Sequence, residues 1–311
     1  MRYRRLGKTD IEVSVIGLGT YQFSGRWGKT FTQKEASEII AMARDNGITL
    51  LDTASCYGMN HLAETLVGNA IASSLSHWII ATKFGHEKIS PTQNRQAWTA
   101  AEVRQQLEAS LRALGTDYID LYQFHSGSSE AFDNDELWTM LDKQRQAGKI
   151  RHLGISVSRK SKEWREYQTR KASSVGASVI QVKYNRLERD AEQEVLPECL
   201  AQNLGVMARV PLASGLLSGR YQTLTTFDDS EARAGKYDQQ TIARMQQEIR
   251  DIMEQELPAG VSLPQYALVW CLKNPAVSCV IPGCKTPEQA RINASVGDLP
   301  LLDDEHPLAL Q

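Results

Sequence analysis

The sequence predicts an α/β fold, a closed (β/α)8 barrel forming one domain over residues 1–311. Three observations lead there: eight short runs dense in Val and Ile, helical signatures between them, and a length that one barrel can fill. The runs are SVIGL (14–18), ITLLD (48–52), HWIIATK (77–83), YIDLYQFH (118–125), IRHLGIS (150–156), SVIQVKY (178–184), VMARV (206–210) and VSCVI (277–281). Their lack of strict alternation suits parallel strands buried on both faces. Eight strand-then-helix units with right-handed crossovers fit either a doubly wound sheet or a barrel, and closure leaves no edge strand over.

The elements between the strands carry their own start and stop signals. Segment 1–13, with LGKTD as its turn, is expected to be a hairpin capping the barrel floor. Thr32 with Glu35, and Thr99 with Glu102, form capping boxes. From Thr99 the apolar positions Val103, Leu107, Leu111 and Leu114 fall at helical spacing, and Gly115 supplies the stop. Gly47 and Gly148 sit where two further helices should end. The run 222–257 is polar and charged, and is expected to be an inserted loop and helix ahead of a helix at 263–273. Thr286 followed by Pro287 marks the start of the last helix.

Composition narrows the function classes. Thirty-five basic against 37 acidic residues leave a formal charge of −2, which advertises neither nucleic acid nor an anionic membrane as partner. No window approaches 18 uninterrupted apolar residues, and Asp10 and Glu12 interrupt any signal-peptide core, so a cytoplasmic protein is expected. Five cysteines without a CxxC pattern suit reduced thiols. GKT at 28–30 lacks the glycine a phosphate loop needs, GLGTYQ at 17–22 lacks the third glycine of a dinucleotide turn, and the six histidines show no metal-ligand spacing.

Chemistry concentrates where a barrel places it, at the C-terminal ends of strands. The second strand ends at Asp52 and runs into TASCYG, which carries Tyr57; the third ends at Lys83 and the fourth at His125. An acid, a phenol, an amine and an imidazole therefore converge from three adjacent strands. Such a set suits carbonyl reduction by hydride, because the alkoxide that forms must be protonated. A phenol can supply that proton, but with a pKa of about 10 it needs help, and a nearby ammonium favours phenolate. Asp52 would hold Lys83 in place and charged, and a neutral His125 would donate to the carbonyl oxygen.

LDTASCYG (51–58), ATKFG (81–85) and the strand-terminal His125 resemble the Asp–Tyr–Lys–His tetrad of the aldo-keto reductase superfamily, and the likeness runs from GLGT to IPGCKTPEQARINAS (281–295). The resemblance implies a metal-free oxidoreductase that reduces aldehydes and ketones to alcohols. It implies NADP(H) as the preferred cofactor with NAD(H) as the alternative. Gly19 and Thr20 would approach it. Ser156 and Gln181 would hold its carboxamide, with Val157 standing where the family has Asn. Arg209 stands where an aromatic ring usually stacks on the nicotinamide, and its charge should favour the reduced form. Pro211, Leu212, Ser214, Gly215 and Leu217 would line the pyrophosphate, with Gly283 close by. A helix start at Thr286 beside Lys285 makes a phosphate site from free N–H groups, dipole and ammonium. The resemblance gives Lys285 and Gln289 to a 2′-phosphate and Asn293 to the adenine.

Tyr21, Trp27 and Phe84 are expected to wall the substrate pocket, with specificity in loops 20–31, 84–98, 126–135 and 222–240. The partner expected is a small carbonyl or alcohol, and no oligomeric signature is visible. Two alternatives share the motifs: a sugar or polyol dehydrogenase working oxidatively, and a slow NADP(H)-binding subunit that senses redox state.

Overall fold

A computed structural model describes residues 1–158, 160–220 and 235–300. Eight parallel strands follow one another around the sheet in chain order: β1 Leu18–Gly19, β2 Leu50–Asp52, β3 Ile79–Phe84, β4 Ile119–His125, β5 Ile150–Ser156, β6 Ala177–Lys183, β7 Gly205–Arg209 and β8 Cys279–Val280. The sheet closes on itself through parallel bridges from Ile16 to Val280 and from Gly19 to Gly283. At the seam the Gly17 N–H donates to Val280 O at 2.8 Å and the Val280 N–H to Val15 O at 3.0 Å. The expected (β/α)8 barrel is therefore what forms.

Helices α1 Gln33–Asp45, α2 Leu62–Ile71, α3 Ala100–Leu114, α4 Asp135–Gln146, α5 Lys162–Lys171, α6 Leu196–Ala201, α7 Leu263–Leu272 and α8 Pro287–Ser295 cover the outside. Both expected capping boxes are made, at Thr32 with Glu35 and at Thr99 with Glu102. Gly115 ends α3 in the left-handed conformation. Thr286 caps α8, accepting from the Gln289 N–H with Pro287 in the first turn. None of the helices among the described residues is long and apolar enough to cross a membrane. The inserted helix is Gln239–Gln255. Part of the expected 222–240 loop, within 221–234, and the segment 301–311 lie outside the described residues.

The interior is divided by height. Below, Leu6, Ile11 and Val13 from an antiparallel hairpin (Tyr3–Arg5 with Glu12–Ser14) pack into an apolar plug with Leu50, Ala81, Leu121, Val179 and Met207. The hairpin can come this close because its turn residue is Gly7, at φ +60°: a Cβ there would lie 2.0 Å from the Gly205 nitrogen. Buried Arg4 clamps the hairpin to the wall, donating to Leu272 O at 3.0 Å and Val277 O at 2.8 Å. Above the plug, the inward positions are polar.

Three details differ from the expectation. The first strand, Leu18–Gly19, keeps only the last residue of the expected run 14–18. The last strand shrinks to two residues, because its pairing continues only as single bonds from Ser278 N–H to Val206 O and Ile281 N–H to Ala208 O. A second hairpin, His86–Lys88 with Asn94–Gln96, rises from the loop after β3. Its six residues are polar and give no apolar period to read. Leu6→Ala should cost about 2–5 kcal/mol, because the plug cannot collapse around the lost side chain; a urea midpoint lowered accordingly checks it, and an unchanged midpoint would place the barrel's stability elsewhere.

Candidate active site

The strand pleat decides which side chains meet. Successive residues point to opposite faces, so Lys83 on β3 and Gln123 and His125 on β4 face inward, while Phe84, Tyr122 and Phe124 face the helices. Register completes the set: Lys83 pairs with Gln123, His125 with Ser156, and Ser156 with Gln181.

Lys83 is fully buried and Asp52 nearly so. The Lys83 Nζ donates to Asp52 Oδ1 and Oδ2, both at 2.8 Å, to Thr53 O at 2.7 Å and to the Tyr57 hydroxyl at 3.2 Å. Asp52 Oδ1 also accepts from Gln181 Nε2 at 2.7 Å and Gln123 Nε2 at 3.3 Å. Gln181 Nε2 reaches Gln123 Oε1 at 3.1 Å, and Ser156 Oγ donates to Gln181 Oε1 at 3.2 Å. Residues at the ends of five strands thus form one buried polar network centred on the carboxylate. Gln123 was not among the expected site residues, although its position two before His125 puts it on the same face.

Tyr57 rides on the loop after β2, which is tied at both ends. The Tyr57 N–H donates to Ala54 O at 3.0 Å, and Tyr57 O accepts from the Ala63 N–H at 3.0 Å. Beneath the loop, buried Glu64 gathers Thr82 Oγ1 at 2.5 Å, Ser110 Oγ at 3.2 Å and His61 Nδ1 at 2.5 Å. This carboxylate, also unforeseen, fixes the loop to β3 and α3. His125 completes the expected four, its ring 6.1 Å from that of Tyr57 with Cys56 Sγ 3.7 Å from its Nδ1.

Electrostatics overturn one expectation. Burial pushes the Tyr57 phenol well above the ordinary tyrosine range, and the Asp52 carboxylate pushes it further. The expected lowering by Lys83 does not prevail, because that ammonium is already neutralised by direct contact with Asp52 while the phenol pays the full dehydration. Burial pulls the Lys83 ammonium down, opposed by Asp52.

The walls also need one correction. Tyr21 stacks edge-on against Tyr57 with centroids 4.9 Å apart, and Trp27 does so against Tyr21 at 5.6 Å. Phe84 is not a pocket wall: its side chain is fully buried on the outer face of β3, 4.8 Å from Tyr122 and 6.0 Å from Phe124. The opposite wall is His86, with its ring 5.2 Å from His125 and 5.4 Å from Trp98. Burial holds the His86 imidazole below its usual pKa, countered by a hydrogen bond with the His125 backbone. Gly85 makes this wall: at φ +104° it turns the chain, and a Cβ there would lie within 2 Å of the Trp98 ring.

Around the same rim lie the groups expected to meet a dinucleotide. Arg209, at the end of β7, reaches across β6 to donate from Nη2 to Val157 O at 3.1 Å. After it, Val210, Ala213, Ser214, Gly215 and Gly219 all have positive φ, a winding backbone of the kind that turns N–H groups toward an anion. That stretch carries the expected Pro211, Leu212, Ser214, Gly215 and Leu217; the Lys236 ammonium hydrogen-bonds Ser214 Oγ. Across the closing seam, Gly19 and Thr20 face Gly283, over which Gln22 presses so closely that a Cβ would strike its amide; the Gln22 Oε1 is buried without a partner. At α8, Gln289 Oε1 accepts from the Lys285 N–H at 2.7 Å, which leaves the amide NH2 as a donor beside the helix start. Asn293 is buried one turn further on. Cations and N–H groups form a donor set that fits a polyanionic dinucleotide, and the unpartnered Gln22 Oε1 offers an acceptor to an N–H donor.

The sequence model of the aldo/keto reductase family matches residues 15–308. The chain is 30% identical to the NADH-specific methylglyoxal reductase of Escherichia coli, over 96% of this chain and 94% of that protein. Among solved structures it is similar to the holo form of aldo-keto reductase AKR11C1 from Bacillus halodurans, with TM-score 0.79, 28% identity and coverage of 98% and 94% of the two chains. The glycerol dehydrogenase AKR11B4 of Gluconobacter oxydans gives TM-score 0.79 at 29% identity, covering 95% and 90%. With the family matched over nearly the whole barrel, the chain is an oxidoreductase that belongs to the aldo/keto reductase family.

Proposed function

We propose that this protein reduces small aldehydes and activated ketones to alcohols at the expense of NADP(H), with Tyr57 as the proton donor. The observation that carries the reading is the buried Lys83 ammonium, in contact with the Asp52 carboxylate and 3.2 Å from the Tyr57 hydroxyl. The bound nicotinamide supplies the hydride, and this chain's residues manage the oxygen that hydride addition makes negative. His125, neutral, orients the carbonyl by donating to its oxygen. Tyr57 gives up its proton as the charge forms, and Lys83 then stabilises the phenolate left behind. The raised phenol pKa fits this direction, since the donor is fully protonated at neutral pH and ionises only when an alkoxide is there to take the proton.

Ser156 and Gln181 are read as carboxamide holders, and Lys285 with the Gln289 amide as the 2′-phosphate site. A neutral amide where an arginine would discriminate leaves NAD(H) as the second cofactor, and the Escherichia coli relative is NADH-specific. Arg209 argues against the oxidative alternative, because a fixed guanidinium beside the nicotinamide site repels a positive ring. The redox-sensing alternative has no observation in its favour.

Tyr57→Phe should lose about 10²–10⁴-fold in rate while NADPH binding persists; following the reduced-nicotinamide absorbance over a panel of aldehydes and sugars with NADPH, then NADH, checks this, and near-normal turnover removes Tyr57 from the role. Arg209→Ala should weaken NADPH and strengthen NADP⁺, narrowing the ratio of their dissociation constants; a ratio unmoved in fluorescence titrations would show that the charge plays no part. In a spectroscopic pH titration, the tyrosinate signal that Tyr57→Phe removes should begin well above the ordinary range near about 10. Ionisation of that residue at neutral pH would contradict the burial argument.

A further inference from the structure

Two cations at the mouth meet no carboxylate among the described residues. The hairpin after β3 presents alternate side chains to alternate faces, so His86 and Lys88 share one face and Glu87 takes the other. The His86 ring, 5.2 Å from His125, shows that this face looks onto the site. Glu87 is turned away and pairs across the hairpin with Arg95, whose Nε lies 3.1 Å from its carboxylate. From the other side comes the loop that carries Tyr21 and Trp27 against Tyr57, and Arg26 immediately precedes Trp27.

Arg26 and Lys88 are both half-buried, and among the described residues neither side chain meets a carboxylate. Three cations nearby are paired with carboxylates: Lys183 with Glu188 at 2.9 Å, Arg165 with Glu194 at 2.6 Å, and Arg186 with Glu248 at 3.0 Å. Asp52 offers no compensation, its charge being spent on Lys83. Burial pulls the Lys88 ammonium down, and the Arg26 charge pulls it further, so the two lie within electrostatic reach of each other. Partly desolvating two like charges without a counter-ion is costly, and an anion between them removes the cost.

We propose that the mouth is built for carbonyl substrates bearing a carboxylate or phosphate near the reacting carbon, with Arg26 and Lys88 as the residues that select it. This rests on the reading of the Tyr57–His125 cleft as the carbonyl site. The Tyr21–Trp27 wall and the His86 wall would flank the carbon chain, and the two cations would hold its charged end. A neutral aldehyde would react without that anchor.

The test compares kcat/KM for matched pairs, 4-oxobutanoate against butanal and glyceraldehyde 3-phosphate against glyceraldehyde, in the native enzyme and in Lys88→Gln, Lys88→Arg and Arg26→Gln. At least one anionic member should be favoured about tenfold or more over its neutral partner, as a charged hydrogen bond warrants, and which pair shows it tells carboxylate from phosphate. That ratio should collapse through KM in either Gln variant and survive in Lys88→Arg. Equal ratios in both pairs, or ratios untouched by both Gln substitutions, would overturn the proposal. Fluorescence titration with butanoate against butanamide reads the same preference without turnover. Tight butanoate binding lost in Lys88→Gln, in a protein that reduces no aldehyde, would sink the reductase reading and keep only the anion-selecting role of the two cations; equal binding of butanoate and butanamide would sink that role.

Discussion

The site depends on one buried ion pair. Lys83 and Asp52 are both withdrawn from water, which costs several kcal/mol per charge in proteins unless geometry and further hydrogen bonds repay it. Here they offset part of it: the ammonium is shared among two carboxylate oxygens, a backbone carbonyl and a phenol, and the carboxylate takes two glutamine amides besides. Such a pair is weak support for stability, since apolar residues of like volume would hold a barrel together as well. What it fixes is position, a positive charge held beneath a phenolic oxygen by residues from several strands at once.

The rest of the barrel reads as the means of keeping that charge in place. The lower interior is a dry apolar plug sealed by the N-terminal hairpin, so the polar network cannot be hydrated from below. The Tyr57 loop is anchored to neighbouring elements through Glu64, and the closing seam between β1 and β8 leaves no edge to fray. Over this base, two elements, the Tyr21–Trp27 loop and the His86–Lys88 hairpin, bring aromatic walls and cations to the rim. Chemistry and selection are thus carried by different parts of the chain.

Much of this was legible in the sequence, for reasons that can be stated. The predicted runs 118–125, 150–156 and 178–184 fall within one residue of β4, β5 and β6, because both faces of these strands are buried and the apolar runs are continuous. Four chemically distinct residues at strand ends were visible because a barrel collects such ends in one place. Phe84 was misread as a wall, although the pleat that turns Lys83 inward must turn its neighbour out. Gln123, Glu64 and His86 were missed, since polar residues show their function only through partners distant in sequence. The Tyr57 pKa was misjudged because the sequence reveals an ammonium but not that a carboxylate has already neutralised it.

If Lys83 and Tyr57 act as a unit, removing either should disable the same step. A double-mutant cycle on the single-turnover rate, comparing Lys83→Met, Tyr57→Phe and the double variant with NADPH saturating, measures this directly. The account predicts that the double variant is scarcely slower than the worse single one. Losses that multiply would show two independent contributions, and would contradict the picture of a phenol whose departing proton is answered by the ammonium beneath it.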